Sequence, residues 1–384
     1  MTRLAIHLND ADITLSDGER IIYCEPGFAW LGDGKMTSGS EAFAHSRIDP
    51  RRINHRFWSV LTTEPITDKR FSHLSAADLA SVQLEQIWLN HGTNVTELIV
   101  AVPPYMATEN LSLFLGISHE LDIPVVAMVD SAVAATRREY KGAVPIHVEL
   151  CLHKTTLTRL AQPGMSQFDR VEIVHNAGLF SLNELWIKAV AEAFVLQSRF
   201  DPLHTAELEQ LLLDRLGGWL REASAHGHVK MELEFVGNTY TATVELLELI
   251  GAATPIYQEI ASALRSLCRA EDLPAIQVTE RVGQNPGLVE MLKAKVGGEV
   301  FVLEAGATAR GAFSRCQPAT DGISLLRQLP WDQSAIDMLG QTIESTQVGV
   351  PTHMLYGHEA HRIDDVPLFL GSQESGDGRC LSLA

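Results

Sequence analysis

The stretch from Glu97 to Tyr140, ELIVAVPPYMATENLSLFLGISHELDIPVVAMVDSAVAATRREY, narrows the possible folds more than any other part of the chain. Leu98–Val102 and Pro124–Val129 are near-continuous apolar runs, the pattern of strands covered on both faces. Between them Leu111, Leu113, Phe114, Leu115 and Ile117 suit a helix, with Thr108 or Asn110 as the candidate cap. The small residues from Ser131 to Ala135 then predict a second helix. Such a β-α-β-α block belongs to a buried, largely parallel sheet, so the expected class is α/β.

The rest of the chain repeats the rhythm. Leu4–Leu8, Ile13–Leu15 and Arg20–Cys24 read as strands, with Ser16-Asp17-Gly18 turning between the last two. An irregular stretch covers Gly27–Arg56, and a helix capped by Ser75 covers Ala76–Asn90. After Lys141-Gly142 a hairpin is expected at Ile146–Leu152 and Thr155–Leu160, with a third strand at Val171–Val174. Helices are expected at Leu182–Val195 and Ala206–Ala223, and two strands at Val229–Phe235 and Tyr240–Val244, joined by Gly237-Asn238. A helix over Glu245–Cys268 should bend or break near Pro255. Strand Ala275–Thr279, helix Pro286–Val296, strand Glu299–Leu303 and helix Ala305–Ser314 close this half. Residues 316–384 carry scattered prolines, a helical stretch near Ser334–Ser345 and β-like runs at His353–Tyr356 and Pro367–Gly371. They read as a small β-rich appendix, giving divisions at 1–145, 146–315 and 316–384.

With 384 residues, two domains are the prior. The formal charge of −18 weighs against nucleic acid and against an anionic membrane surface as partners. No apolar run is long enough to span a bilayer. The start, MTRLAIHLND, lacks a signal-like apolar segment. Five cysteines with no CxxC pair argue against a disulfide framework and a thiolate zinc site. The reading is a cytoplasmic protein with a protein partner.

Three local motifs weigh little. Gly32-Asp33-Gly34-Lys35 resembles the end of a Walker loop but has Ala29 at the earlier glycine position, and reads as a polar turn. His358-Glu359-Ala360-His361 is one residue short of a zinc-protease motif and sits in a turn-rich segment. Trp30, Trp58 and Trp331 read as core residues.

The order Val102-Pro103-Pro104-Tyr105, helix, then Asp130-Ser131-Ala132-Val133-Ala134-Ala135 resembles the actin-like ATPase superfamily. It is most similar to the nucleotide-binding lobes of the 70-kDa heat-shock chaperones. Glu304-Ala305-Gly306-Ala307-Thr308-Ala309-Arg310-Gly311-Ala312 is similar to that family's closing Glu-Ala-Val-Ala-x-Gly-Ala-Ala helix. The resemblance implies two duplicated, ribonuclease-H-like lobes around a central cleft, with ATP or ADP and magnesium between them.

The phosphate loops depart from the family pattern. Family chemistry needs glycines, so that backbone N–H groups wrap the phosphates, and acids that hold magnesium-bound water. Ile6-His7-Leu8-Asn9-Asp10-Ala11 stands where the family has Ile-Asp-Leu-Gly-Thr-Thr. Glu149-Leu150-Cys151-Leu152-His153-Lys154-Thr155-Thr156 stands for Asp-Leu-Gly-Gly-Gly-Thr-Phe-Asp. Thr279-Glu280-Arg281-Val282-Gly283-Gln284-Asn285-Pro286 stands for the adenosine motif Val-Gly-Gly-Ser-Thr-Arg-Ile-Pro. Three degraded loops predict a pseudo-ATPase with no catalytic residues, no bound cofactor and no metal, acting as a protein-interaction or scaffold module. The alternative is a divergent ATPase that still binds ATP. Candidate ligand contacts are then Glu149 and Asp130, which keep acidic chemistry, Arg221 on the adenine side, and His7, His153 and Lys154. His7 and His153, one in each loop, could face each other, with His153 and Lys154 available to a different anion; the plainer reading is two solvent-accessible histidines with no ligand.

Overall fold

The computed structural model describes residues 2–32, 34–320 and 322–332, and beyond them only the backbone of four short strands. Tertiary contacts divide the chain into two units, 1–332 and 333–384. Residues 316–332, assigned from sequence to an appendix, therefore belong to the first unit.

That unit is mixed α/β. Strand β1 (Thr2–Asn9) turns through Asp10-Ala11 into antiparallel β2 (Asp12–Ser16), which pairs with β3 (Ile21–Glu25). The stretch read as irregular holds a small sheet, β4 (Ala29–Leu31), β5 (Met36–Ser38) and β6 (Ile53–Asn54), with helix α1 (Gly39–Phe43). Helix α2 (Ala76–His91) opens with a reciprocal cap: Ser75 Oγ accepts from Asp78 N at 3.3 Å, and Asp78 Oδ2 accepts from Ser75 N at 2.7 Å. Next come β7 (Val95–Val102), α3 (Thr108–Glu120), β8 (Val125–Asp130) and α4 (Ser131–Ala135). Neither expected residue caps α3. Its flanking residue is Ala107, and Asn110 works from inside the first turn, its Oδ1 accepting from Ala107 N at 2.9 Å.

The second series starts with β9 (Val144–Leu150), β10 (Lys154–Ala161) and β11 (Ser166–His175). Helices α5 (Leu179–Ser198) and α6 (Ala206–His226) follow, then the hairpin β12 (His228–Phe235) and β13 (Asn238–Glu245). Helix α7 (Leu246–Leu267) runs through Pro255 without a break. A buried face that includes Leu249, Ile256, Tyr257, Ile260 and Leu264 binds it to the core on both sides of the proline. The series ends with β14 (Pro274–Val278), α8 (Glu280–Gly283), α9 (Leu288–Val296), β15 (Glu299–Val302) and α10 (Ala307–Arg315).

Both large sheets have the same plan. One runs β8-β7-β1-β2-β3, the other β15-β14-β9-β10-β11. In each, the first strand has an antiparallel hairpin on one side and two parallel strands on the other. The last strand of each five-strand set leads into a helix rich in small residues, α4 or α10. These two helices pack together over a core of small side chains, among them Ala132, Ala134, Ala309 and Ala312. The approach is close: a Cβ on Gly311 would lie 2.0 Å from the Ala134 carbonyl oxygen.

The chain after α10 then fastens the sheets. Strand β16 (Leu325–Leu326) pairs in parallel with β8, and β17 (Gln328–Leu329) pairs antiparallel with β11. Five residues thus add an edge strand to each sheet. Beneath them the Arg315 guanidinium donates to the carbonyls of Thr136, Val133, Ala134, Gly311 and Pro330.

In the second unit, β18 (His353–Tyr356) and β19 (Glu359–Arg362) form an antiparallel pair, and β20 (Phe369–Leu370) pairs in parallel with β21 (Cys380–Leu381). The helical stretch expected at 334–345, His358 and Leu368 lie outside the described residues. Glu359 and His361 are on a strand, which removes the helical spacing a zinc-protease motif needs. No helix among the described residues is long and apolar enough to cross a membrane.

Two stability experiments follow from this packing. Gly311→Ala drives a methyl into backbone and is expected to cost about 2 kcal/mol or more, measured by denaturant unfolding. A chain ending at residue 332 should melt close to the full protein, whereas one ending at 315 loses both edge strands and should melt several degrees lower. Equal melting of the two shortened chains would show that the strap contributes nothing.

Candidate functional site

The two first strands, β1 and β9, bring their C-terminal ends together. Strand alternation puts His7 and Asn9 on one face of β1 and His147 and Glu149 on one face of β9. Glu149 is fully buried. Its Oε1 accepts from Asn9 Nδ2 at 3.0 Å, and its Oε2 accepts from Ser131 Oγ at 2.8 Å. His7 Nε2 stands 2.6 Å from Oε1, an ion-pair separation when the imidazole is protonated. Burial works against the carboxylate's charge, but the neighbouring His7 ring, His147 and the Ser131 hydroxyl outweigh it and hold Glu149 below the usual carboxylate range. His147 is also buried, with neither ring nitrogen hydrogen-bonded, and burial pushes it down to about 4, so it is neutral at pH 7.

The hairpin turns are bonded to each other. Asp10 Oδ1 accepts from the Leu152 backbone N–H at 2.7 Å, and Asn9 Nδ2 also donates to the Leu150 carbonyl at 3.1 Å. Asn9 Oδ1 shapes its own turn by accepting from Ala11 N at 2.9 Å. Asp10 is 1% exposed and burial raises it to about 6, even though the Leu152 N–H and the Lys154 charge pull the other way. Gly178 holds the second turn from behind. A Cβ there would meet the backbone of residues 152–154 at 2.5 Å, and the N–H groups of Leu179 and Phe180 donate to Cys151 and Leu152.

Of the six residues singled out from sequence, Glu149, His7 and Asp130 come together. Asp130 caps α4, accepting from Ala132 N at 3.0 Å and Val133 N at 3.2 Å, one residue before the serine that holds Glu149. Burial lifts it to about 7. Lys154 lies with its ammonium 3.9 Å from the centre of the Tyr105 ring. His7 and His153 do not form a pair. His153 Nε2 instead sits 2.9 Å from both the ring nitrogen Nδ1 and the carbonyl oxygen of His55. A carbonyl only accepts, so the His153 proton is on Nε2. The Phe180 ring stacks on His55, and burial takes both histidines down to about 4. His55 was missed because it lies in the irregular stretch, where no periodicity marks it.

Arg221 lies elsewhere, on the wall of a cavity of about 520 Å³. Helix α5 contributes Phe180, Asn183 and Trp186 to that cavity, and α6 contributes Leu213, Leu216, Gly217, Leu220 and Arg221. Phe28, Phe43 and Arg47 come from the small-sheet region, and Arg281, Gln284 and Asn285 from α8 and the turn after it. Arg281 is ion-paired with Asp12, and Arg47 with Glu184 and Glu209.

The remaining motifs stay structural. Lys35 pairs with Glu41 at 3.2 Å beside the β4–β5 turn. Trp58 is buried and donates to Gln83, while Trp30 is half-buried and stacks on His45. No cluster of three His, Cys, Asp or Glu among the described residues could hold a metal ion.

Glu149 is fully buried, with Asn9, Ser131 and His7 around its carboxylate. The Leu152 N–H, a backbone donor in the second turn, is already taken by a carboxylate.

Because Asp10 sits above the ordinary aspartate value in the folded protein, its contribution to stability is complete in acid and is lost as pH rises through about 6. Asp10→Asn keeps an oxygen for the Leu152 N–H and loses the charge. It should stabilise the protein by about 1–2 kcal/mol at pH 8, with the gain fading below about pH 4. Urea unfolding across that range measures this, and a gain that does not depend on pH would contradict it. No sequence profile of a known protein family matches the chain, and no curated protein matches it.

Proposed function

We propose that this protein is an actin-like, heat-shock-chaperone-like lobe pair whose nucleotide cleft is inactive, and that it serves as a protein-interaction or scaffold module in the cytoplasm. The shared strand plan of the two sheets supports the lobe pair, with 1–145 and 146–315 as its halves. One observation carries the loss of turnover. The turns that in such proteins would wrap phosphate are bonded to each other, with the Asp10 carboxylate on the Leu152 N–H. An anion there would have to displace a buried carboxylate and meet its repulsion in a poorly screened site.

A second reading, a divergent ATPase that still binds ATP, is favoured by the cavity that Arg221, Arg281 and Asn285 line. Thermal unfolding with ATP or ADP and magnesium separates the two. A nucleotide at about 100 times its Kd would add about 2.7 kcal/mol, a rise of a few degrees. The inactive-cleft reading expects no rise at millimolar nucleotide and no magnesium-dependent phosphate release. Robust release that Glu149→Gln abolishes would overturn it, and a rise without release would favour the second reading.

A further inference from the structure

The cavity beside α5 and α6 has a mixed wall, apolar and aromatic on one part and polar on another. Its volume of about 520 Å³ falls in the range of small-molecule sites. Aromatic and aliphatic groups make up much of its wall, including Phe28, Phe43, Phe180 and Leu216. Three cations line it, and two of them are neutralised: Arg281 by Asp12, and Arg47 by Glu184 and Glu209. Arg221 is the lining cation with no acidic partner among the described residues.

Helix α6 gives a second, independent sign. Gly217 and Gly218 sit in the interior of this 21-residue helix, where glycine is the poorest choice short of proline. Neither has a positive φ, and a Cβ on Gly217 would meet only Arg221 Nη1, at 3.6 Å. Neither backbone conformation nor packing asks for glycine at 217. What it does is leave the cavity wall open beside Arg221.

We propose that this cavity is a binding site for a flat, largely apolar small molecule carrying a single negative charge, with the rings against the aromatic wall and the charge on Arg221. A polyphosphate does not fit this description, since one uncommitted guanidinium balances one charge. The proposal goes beyond the interaction role and rests on the inactive-cleft reading, since the alternative gives the same cavity to ATP.

Two probes with the same rings test it on the full-length protein. 1-Anilinonaphthalene-8-sulfonate has one sulfonate, and N-phenyl-1-naphthylamine lacks it. Fluorescence titration should give saturable binding of the sulfonate at one site per chain, at least tenfold tighter than the neutral probe. Arg221→Gln should weaken the sulfonate about tenfold and leave the neutral probe unchanged. Gly217→Leu, which favours the helix while filling the cavity, should remove both with the melting temperature kept or raised. The proposal is overturned if neither probe saturates, or if binding survives Gly217→Leu in a folded protein. It is also overturned if Arg221→Gln affects both probes equally. Failure here is distinct from failure of the inactive-cleft reading, which the nucleotide experiments decide.

Discussion

The constraint on which the body depends is a carboxylate buried where two sheets meet. Moving an ion of this size out of water costs several kcal/mol even after relaxation, so Glu149 is tolerable only with donors fixed around it. Asn9 comes from the end of β1, Ser131 from the start of α4, and His7 from two residues earlier on β1. All three belong to the first sheet and its helix, while the carboxylate belongs to the second. Separating the sheets would leave the charge without partners, so the junction has one favourable arrangement.

Everything else at the interface is arranged to permit that approach. The two small-residue helices let the sheets come close enough for an asparagine amide to reach across. Gly311 against the Ala134 carbonyl is the tightest point of that approach. The strap at 325–329 then bonds to the outer edge of both sheets. A hub, a small-residue seam and a strap act at different places against the same opening motion, which is the mechanical basis for reading the body as rigid.

Legibility in the sequence followed the range of the interactions involved. Strands β7 and β8 were plain because burial on both faces leaves a near-continuous apolar run, and α2 was plain because its cap is local. The α3 cap was misplaced because an asparagine can serve from the first turn as well as from before it. The small sheet and the strap were invisible, since strands of two or three residues carry no period and owe their existence to distant partners. At the site, His7, Asp130 and Glu149 stood out through the resemblance of their loops, while His147, two residues before Glu149, was not singled out. The partner of His153 was not readable, because it depends on where an irregular loop returns.

The junction and the cavity show one boundary between two kinds of chemistry. At the strand ends, Asn9 and Ser131 already donate to Glu149 and the Leu152 N–H to Asp10, so an incoming anion would lose existing hydrogen bonds. A few residues away, Asp12 neutralises Arg281 at the cavity wall and the lining turns aromatic. Because Asp12 follows Asp10 by only two residues, the same β1–β2 turn closes the polar side with one carboxylate and sets the charge of the cavity with the other. A substitution that reshapes this turn should therefore affect both places at once, whereas one in α6 should affect the cavity alone.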